Sequence, residues 1–359
     1  MSAPTYPAAR VVAGRIHAHL DKDPPTPDAS VIEEIISAAF WASLRREEGR
    51  APTISLAFVQ PEQVYRPLTF ATALALEPDV LVRLAPAVER PGIHLGVASH
   101  ENRLALWGTT RSVPTGCFVL EVIAPGLLVV KFRQEEPSTK FANIAVLDGA
   151  TVKFIAQNNG FTADIPLNVV DALFRFYESG GREESGNALV RLATSIRAHQ
   201  RGGTLLVVPA GSDAWRASMM KPLSYAIRSP LSEFEDLPSD SDDVLRGAID
   251  SLAGWTAVDG ATVMSDRLAL LASGVKIVSR DTARRVGKVL VKEPVEDAQR
   301  MIVEPSQLGN TRHVSAAQFV YDQHDAIAMV ASQDGRFTVF AWSKSEEMVH
   351  AYRLESLLL

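Results

Sequence analysis

Leu205-Leu206-Val207-Val208, led in by Gly202-Gly203-Thr204, is an unbroken aliphatic run. A strand with apolar side chains on both faces belongs at the centre of a sheet that is covered on both sides. Helical spacing flanks it in sequence. Leu167, Val170, Leu173, Phe174 and Tyr177 make one apolar stripe, and Ala188, Leu189, Leu192, Ile196 and His199 a second. Val244, Leu245, Ala248, Ile249 and Leu252 make a third. Such stripes around a buried strand predict an α/β domain, a central mixed sheet flanked by helices.

A chain of 359 residues can bury two ordinary cores, and its composition changes after Asn158-Asn159-Gly160. The boundary is placed between Gly160 and Pro166, giving an N-terminal α+β domain over 1–162 and the α/β domain over 163–359. In the first, the prolines of Asp23 to Asp28 make a non-helical spacer. A helix is expected from near Ser30, with Ile32, Ile35, Ile36, Ala39, Phe40 and Leu44 on one face and Gly49 as its stop. From Thr53 to Ile155 short apolar runs alternate with turn residues, which predicts strands paired largely as hairpins. Leu81 to Leu84 is read as one of these strands, and Pro125-Gly126 splits Val119 to Val130 into two. Asp148-Gly149-Ala150-Thr151-Val152 recurs as Asp259-Gly260-Ala261-Thr262-Val263; the first copy reads as a hairpin turn.

Charged residues at 22% and hydrophobic residues at 47% fit a globular protein. The net charge of −6 argues against a general nucleic-acid binder, while leaving room for a local positive pocket. Cys117 is the lone cysteine, so an internal disulfide is excluded and a reducing compartment fits. No apolar run reaches the roughly 20 residues that cross a bilayer. Arg10, Arg15, Asp21, Lys22 and Asp23 do not make a secretory leader. The expectation is a cytoplasmic protein with no membrane attachment. Neither a Walker lysine loop nor a Gly-x-Ser-x-Gly elbow is present, and His17/His19 and His94/His100 lack the partners of a zinc site.

Two short clusters carry candidate chemistry. Gly309-Asn310-Thr311-Arg312-His313 opens a helix, where unpaired N–H groups and the dipole favour an anion. Gly309 allows close backbone approach, Thr311 is the expected N-cap, Arg312 can grip a phosphate with two parallel bonds, and His313 can donate to phosphate or ribose. The same residues also describe an ordinary capped helix. Asp259-Gly260-Ala261 lies between Trp255-Thr256-Ala257-Val258 and Thr262-Val263-Met264. An acid and two small residues in a strand-like run fit either a hairpin turn or close approach of a ligand, with Asp259 on a metal ion or a ribose hydroxyl. Trp215 and Tyr225, flanking Lys221, offer borders for a base.

In this order, each between apolar segments, the two clusters resemble the nucleotide pocket of the diadenylate cyclase domain, which condenses two ATP molecules into cyclic di-AMP. The resemblance spans roughly Leu167 to Trp342. It implies that Asp259 binds the metal, Mg²⁺ or Mn²⁺, and is catalytic if the chain is active. It implies too that Gly260 and Ala261 face the nucleotide and that Thr311, Arg312 and His313 hold phosphates, with Gly309 and Asn310 leading into the same ligand-binding segment.

The departures are specific. Val314 stands where that family has a second arginine, and Ala331-Ser332-Gln333-Asp334 stands where it has Ser-Glu-Glu. These losses resemble the catalytically altered sensor branch, DACNV, as do the stretches Phe40 to Arg50 and Gly203 to Pro209. The implied function is a sensor that binds an adenine nucleotide or cyclic dinucleotide, with a homodimer and a protein effector of the N-terminal domain as partners. The alternative is an active diadenylate cyclase that makes cyclic di-AMP from two ATP.

Overall fold

The computed structural model describes residues 6, 8–20, 27–46, 49–90, 92–100, 103–133, 141–149, 151–155, 188–199, 201–223, 225–231, 242–266, 269–281, 284–296, 298–333 and 335–354. The stripe from Leu167 to Tyr177, the boundary near 160–166, most of the spacer at 23–28 and of the acidic loop before Asp243, and Asp334 lie outside the described residues. Contacts divide the chain into two compact units, one running to Ile155 and one from Ala156 to Leu358.

The first unit has helices α1 (Ala9–Leu20), α2 (Ala29–Ser43) and α3 (Pro78–Val88). Its strands are β1 (Ile54–Phe58), β2 (Leu68–Ala75), β3 (His94–His100), β4 (Arg103–Thr110), β5 (Phe118–Ala124), β6 (Leu127–Arg133), β7 (Phe141–Asp148) and β8 (Thr151–Phe154). They form one sheet in the order β2-β4-β3-β1-β5-β6-β7-β8. β1 and β3 run parallel, and the other pairs are antiparallel. The expected hairpins are there, including the Asp148–Gly149 turn from β7 to β8. Alternation decides the faces: Leu56, Leu120, Leu128 and Val130 meet Ile32, Ile35 and Ile36 of α2 in the larger core.

One local expectation is corrected, and one helix has no counterpart in the sequence reading. Leu81 to Leu84 belongs to α3, not to a strand. A short apolar run fits both periods, and Pro78 in the first helical turn settles it for helix. The helix α1, buried through Ala9, Val12, Ala13, Ile16 and Leu20, was not anticipated.

On the sheet face turned away from that core, polar groups are locked together. Ser55 Oγ lies 2.7 Å from His94 Nδ1, Lys131 Nζ 2.7 Å from Glu121 Oε2, and Trp107 Nε1 donates to the Val59 carbonyl at 2.7 Å. Burial pushes the His94 imidazole below its usual range; the Glu121 charge opposes this and the Lys131 charge adds to it. Cys117 is buried beside Ala57, Val59 and Trp107.

The second unit has helices α4 (Ala188–Ala198), α5 (Asp242–Trp255) and α6 (Thr311–Asp322). Its strands are β9 (Gly203–Val208), β10 (Tyr225–Leu231), β11 (Ala261–Ser265), β12 (Leu270–Val275), β13 (Val289–Lys292), β14 (Met301–Val303), β15 (Ile327–Ala331), β16 (Phe337–Ser343) and β17 (Met348–Arg353). The sheet order is β10-β12-β11-β9-β15-β16-β17-β13-β14, with β9–β11 and β13–β17 parallel. Every residue of β9 is buried. Leu205 and Val207 pack with Leu192 and Ile196 of α4 and with Ile249 and Leu252 of α5. Leu206 and Val208 pack with Ala316, Phe319 and Val320 of α6. The aliphatic run is therefore the centre of a mixed sheet flanked by helices, as its composition requires.

Candidate functional site

The parallel strands β9 and β11 begin side by side, and antiparallel β12 ends next to them, with Ala261 opposite Val275. These strand ends and the first turn of α6 line a cleft of about 480 Å³. That volume is in the usual range for a small-molecule site. Thr204 comes from β9, Asp259 and Gly260 from the α5–β11 turn, Ala261 from the start of β11, Val275 from the end of β12, and Lys276 and Ile277 from just beyond it. Asn310, Thr311, Arg312 and Ser315 come from α6 and its cap.

The turn that carries Asp259 is built from backbone contacts. Trp255 to Val258 is not the strand that the sequence suggested; it is the end of α5 followed by tight turns. Thr256 N donates to the Ala253 carbonyl at 3.0 Å, Ala257 N to Gly254 at 3.2 Å and Val258 N to Trp255 at 3.2 Å. A helix end leaves its last carbonyls without intrahelical donors. Here the Trp255 carbonyl also accepts from Thr262 Oγ1 at 2.9 Å and from Ser273 Oγ at 3.3 Å. Gly260 sits at φ +103°, and a Cβ there would come within 2.6 Å of the Gly274 carbonyl carbon. Only glycine fits both constraints. A Cβ on Gly203 would likewise come within 2.5 Å of the Thr256 carbonyl oxygen, so the turn lies directly on the start of β9.

The second cluster opens α6, with one change of role. Asn310, not Thr311, is the N-cap: its Oδ1 accepts from Arg312 N at 3.1 Å. Asparagine and threonine are both good caps, so the spacing alone did not separate them. Thr311 becomes the first helical residue, on the cleft wall. The positive end of the helix dipole also faces the cleft.

Two other residues of this cluster are placed differently from the expectation. His313 is 1% exposed, packs edge-on against Phe340 with ring centroids 6.2 Å apart, and does not line the cleft. Gly309 is also outside the lining. A Cβ there would come within 2.6 Å of the His313 Nδ1, so Gly309 makes room for the buried imidazole. At a helix start, the third helical position turns inward as readily as outward, and spacing could not distinguish the two.

Three charged groups face the cleft: Asp259, Lys276 and Arg312. Among the described residues none of them makes an ion pair. The Arg312 guanidinium lies close to the backbone of Gly202, where a Cβ would be 3.2 Å from Nη1. Nothing in the sequence marks Lys276, Thr204 or Ser315 for the site. Lys276 follows a strand end without any motif, and Thr204 reads only as the lead-in to the buried strand.

Behind the turn, His199 Nδ1 accepts from Arg201 N at 3.2 Å, which leaves Nε2 to donate to Thr256 Oγ1 at 3.1 Å. Thr256 in turn donates to the Ala253 carbonyl at 2.7 Å. Burial holds the His199 imidazole below its usual range; the Arg201 charge adds to the effect and a backbone hydrogen bond opposes it. Trp215 and Tyr225 do not border the cleft. Trp215 is 2% exposed in the α6-side core, and Tyr225 is 56% exposed on β10.

The donors for a metal are sparse. Asp259 is the one carboxylate in the lining, and among the described residues no group of three His, Cys, Asp or Glu side chains could hold an ion. One carboxylate fits Mg²⁺ or Mn²⁺ that arrives on a phosphate and keeps much of its water. It does not make a protein cage.

A sequence family described as "Probable sensor domain DACNV" matches residues 21–111. The match lies wholly in the first unit and includes the stretch Phe40 to Arg50, whereas the cleft lies in the second. No curated protein matches the chain. A solved structure described as "The crystal structure of the hypothetical membrane spanning protein from Bacillus cereus" is 13% identical, at a TM-score of 0.28, and covers 51% of this chain and 71% of that one. Among the described residues, no helix is long and apolar enough to cross a membrane.

Proposed function

We propose that the chain is a nucleotide sensor: the cleft of the second unit binds an adenine nucleotide or a cyclic dinucleotide, and the first unit relays the bound state or docks a protein effector. The observation that supports this most is the meeting of Asp259-Gly260-Ala261 with Asn310-Thr311-Arg312 in one cleft. Among the described residues its cations make no ion pair, and its apolar wall of Ala261, Val275 and Ile277 suits a base. The sensor-domain match in the first unit supports the sensing half of the reading. Asp259 would hold any Mg²⁺ or Mn²⁺ together with the ligand's phosphates; the ion would neutralise phosphate charge.

Calorimetry with ATP, ADP and cyclic di-AMP tests the reading. We expect binding of at least one of them, weakened in Arg312→Ala. No binding of any, with wild type and variant alike, would end it.

The carboxylate of Asp259 inside the same cleft favours a second reading, an active diadenylate cyclase acting as a homodimer. It predicts cyclic di-AMP from ATP with Mg²⁺ or Mn²⁺ and loss of product in Asp259→Ala. Purified protein that gives no product with either metal removes it.

A further inference from the structure

Lys276 is held to the cleft wall by its backbone. Its carbonyl accepts from Met220 N at 2.9 Å, the next residue, Ile277, bridges to Met219, and the preceding Val275 pairs with Ala261. The side chain is exposed and, among the described residues, makes no ion pair, although Asp259 lines the same cleft. It is the first of five basic residues in a run, Lys276, Arg280, Arg284, Arg285 and Lys288, against the single acid Asp281. Of these five, Lys276 alone lines the cleft.

The two cations therefore enter from different walls, Arg312 from the helix start and Lys276 from the strand end. They are also chemically unlike. Arg312 presents a planar fork beside the Gly202 backbone, suited to gripping one phosphate in a fixed orientation. Lys276 is a mobile point charge on a flexible stem, able to follow whichever phosphate lies furthest out.

Resting on the nucleotide reading above, we propose that Lys276 is the second phosphate contact of the cleft and the residue that sets preference by phosphate number, favouring a triphosphate over a monophosphate. The chain then needs no second arginine at the start of α6, where Val314 stands.

The test is calorimetry of ATP, AMP and adenosine with Mg²⁺ at two salt concentrations. The proteins are wild type, Lys276→Gln, Lys276→Arg, Arg312→Gln and, as a charge control away from the lining, Lys288→Gln. A charge-assisted contact predicts that Lys276→Gln weakens ATP about tenfold, AMP less, and adenosine not at all, with a shallower salt dependence. Lys276→Arg should restore most of the ATP affinity, and Lys288→Gln should match wild type.

Lys276→Gln binding ATP like wild type, or losing all three ligands equally, overturns the proposal. So does an equal loss in Lys288→Gln, which would mean a general field. If Arg312→Gln loses ATP while Lys276→Gln does not, the role of Lys276 falls and the nucleotide reading stands. If wild type binds none of the three, the role of Lys276 falls, and the nucleotide reading falls too only if cyclic di-AMP also fails to bind.

Discussion

In the first unit the parallel strands β1 and β3 carry Ser55 and His94, locked to each other at 2.7 Å, with Glu121 and Lys131 paired near them. In the second unit the parallel strands β9 and β11 begin beside Asp259, Lys276 and Arg312, none of which makes an ion pair among the described residues. The sheets are alike in kind, both mixed and both containing a parallel pair away from the edges. Their polar groups are treated in opposite ways. Buried polar groups need partners within the protein, because leaving one unsatisfied costs about 1–3 kcal/mol. Charges at the rim of a concavity can keep water as their partner until a ligand replaces it. The first arrangement serves folding, and the second is available for binding.

Substitutions can break this contrast. The largest effect is expected from Gly260→Ala, where overpacking and left-handed strain together cost about 3 kcal/mol. A lower denaturant midpoint would accompany loss of nucleotide binding. Arg312→Gln should do the reverse of a structural mutation: affinity for ATP falls about tenfold to a hundredfold. Its unfolding free energy should change by no more than about 0.5 kcal/mol, and a large stability loss would place Arg312 with the structural groups. Ser55→Ala in the first unit should lower stability by about 1–3 kcal/mol, because His94 loses a buried partner, and leave ATP affinity unchanged.

Acid sharpens the comparison further. His94 and His199 both have folded-state pKa values held below the ordinary one, so the unfolded chain takes up protons that the folded chain resists. Their contribution is fully present above about pH 6.5 and is lost as pH falls towards the folded pKa. Melting temperature should be flat from pH 8 to 7 and drop by pH 5.5, with a shallower drop in His94→Gln. At the small end, Arg45→Ala removes a surface pair with Asp79 and should cost no more than about 1 kcal/mol in a denaturant melt.

What could be read from the sequence follows the same divide. Patterns that burial enforces were legible: the aliphatic strand β9, the stripe that became α4, the hairpins of the first unit and the α2 start. The α1 helix and the helical state of Leu81 to Leu84 were not: the stripe Ala9, Val12, Ala13, Ile16 and Leu20 has helical spacing but a weak apolar signal, two of its five members being alanine, and Leu81 to Leu84 alone is too short a window to separate the two periods. At the site, the two motif clusters name most of one cleft. His313 and Gly309 were misplaced because a motif gives spacing, while the inward turn of an imidazole is decided by Phe340, distant in the chain. Lys276 had no signal at all beyond its charge. The family match also falls on the first unit, 21–111, rather than on the segment that carries the motifs.

The contacts at Gly203 and Gly260 press the Asp259 turn onto two strands of its own sheet, backbone against backbone. A wall made in this way arrives already shaped. Little ordering entropy is left to be surrendered when a guest enters, so even a modest set of contacts there is converted efficiently into affinity.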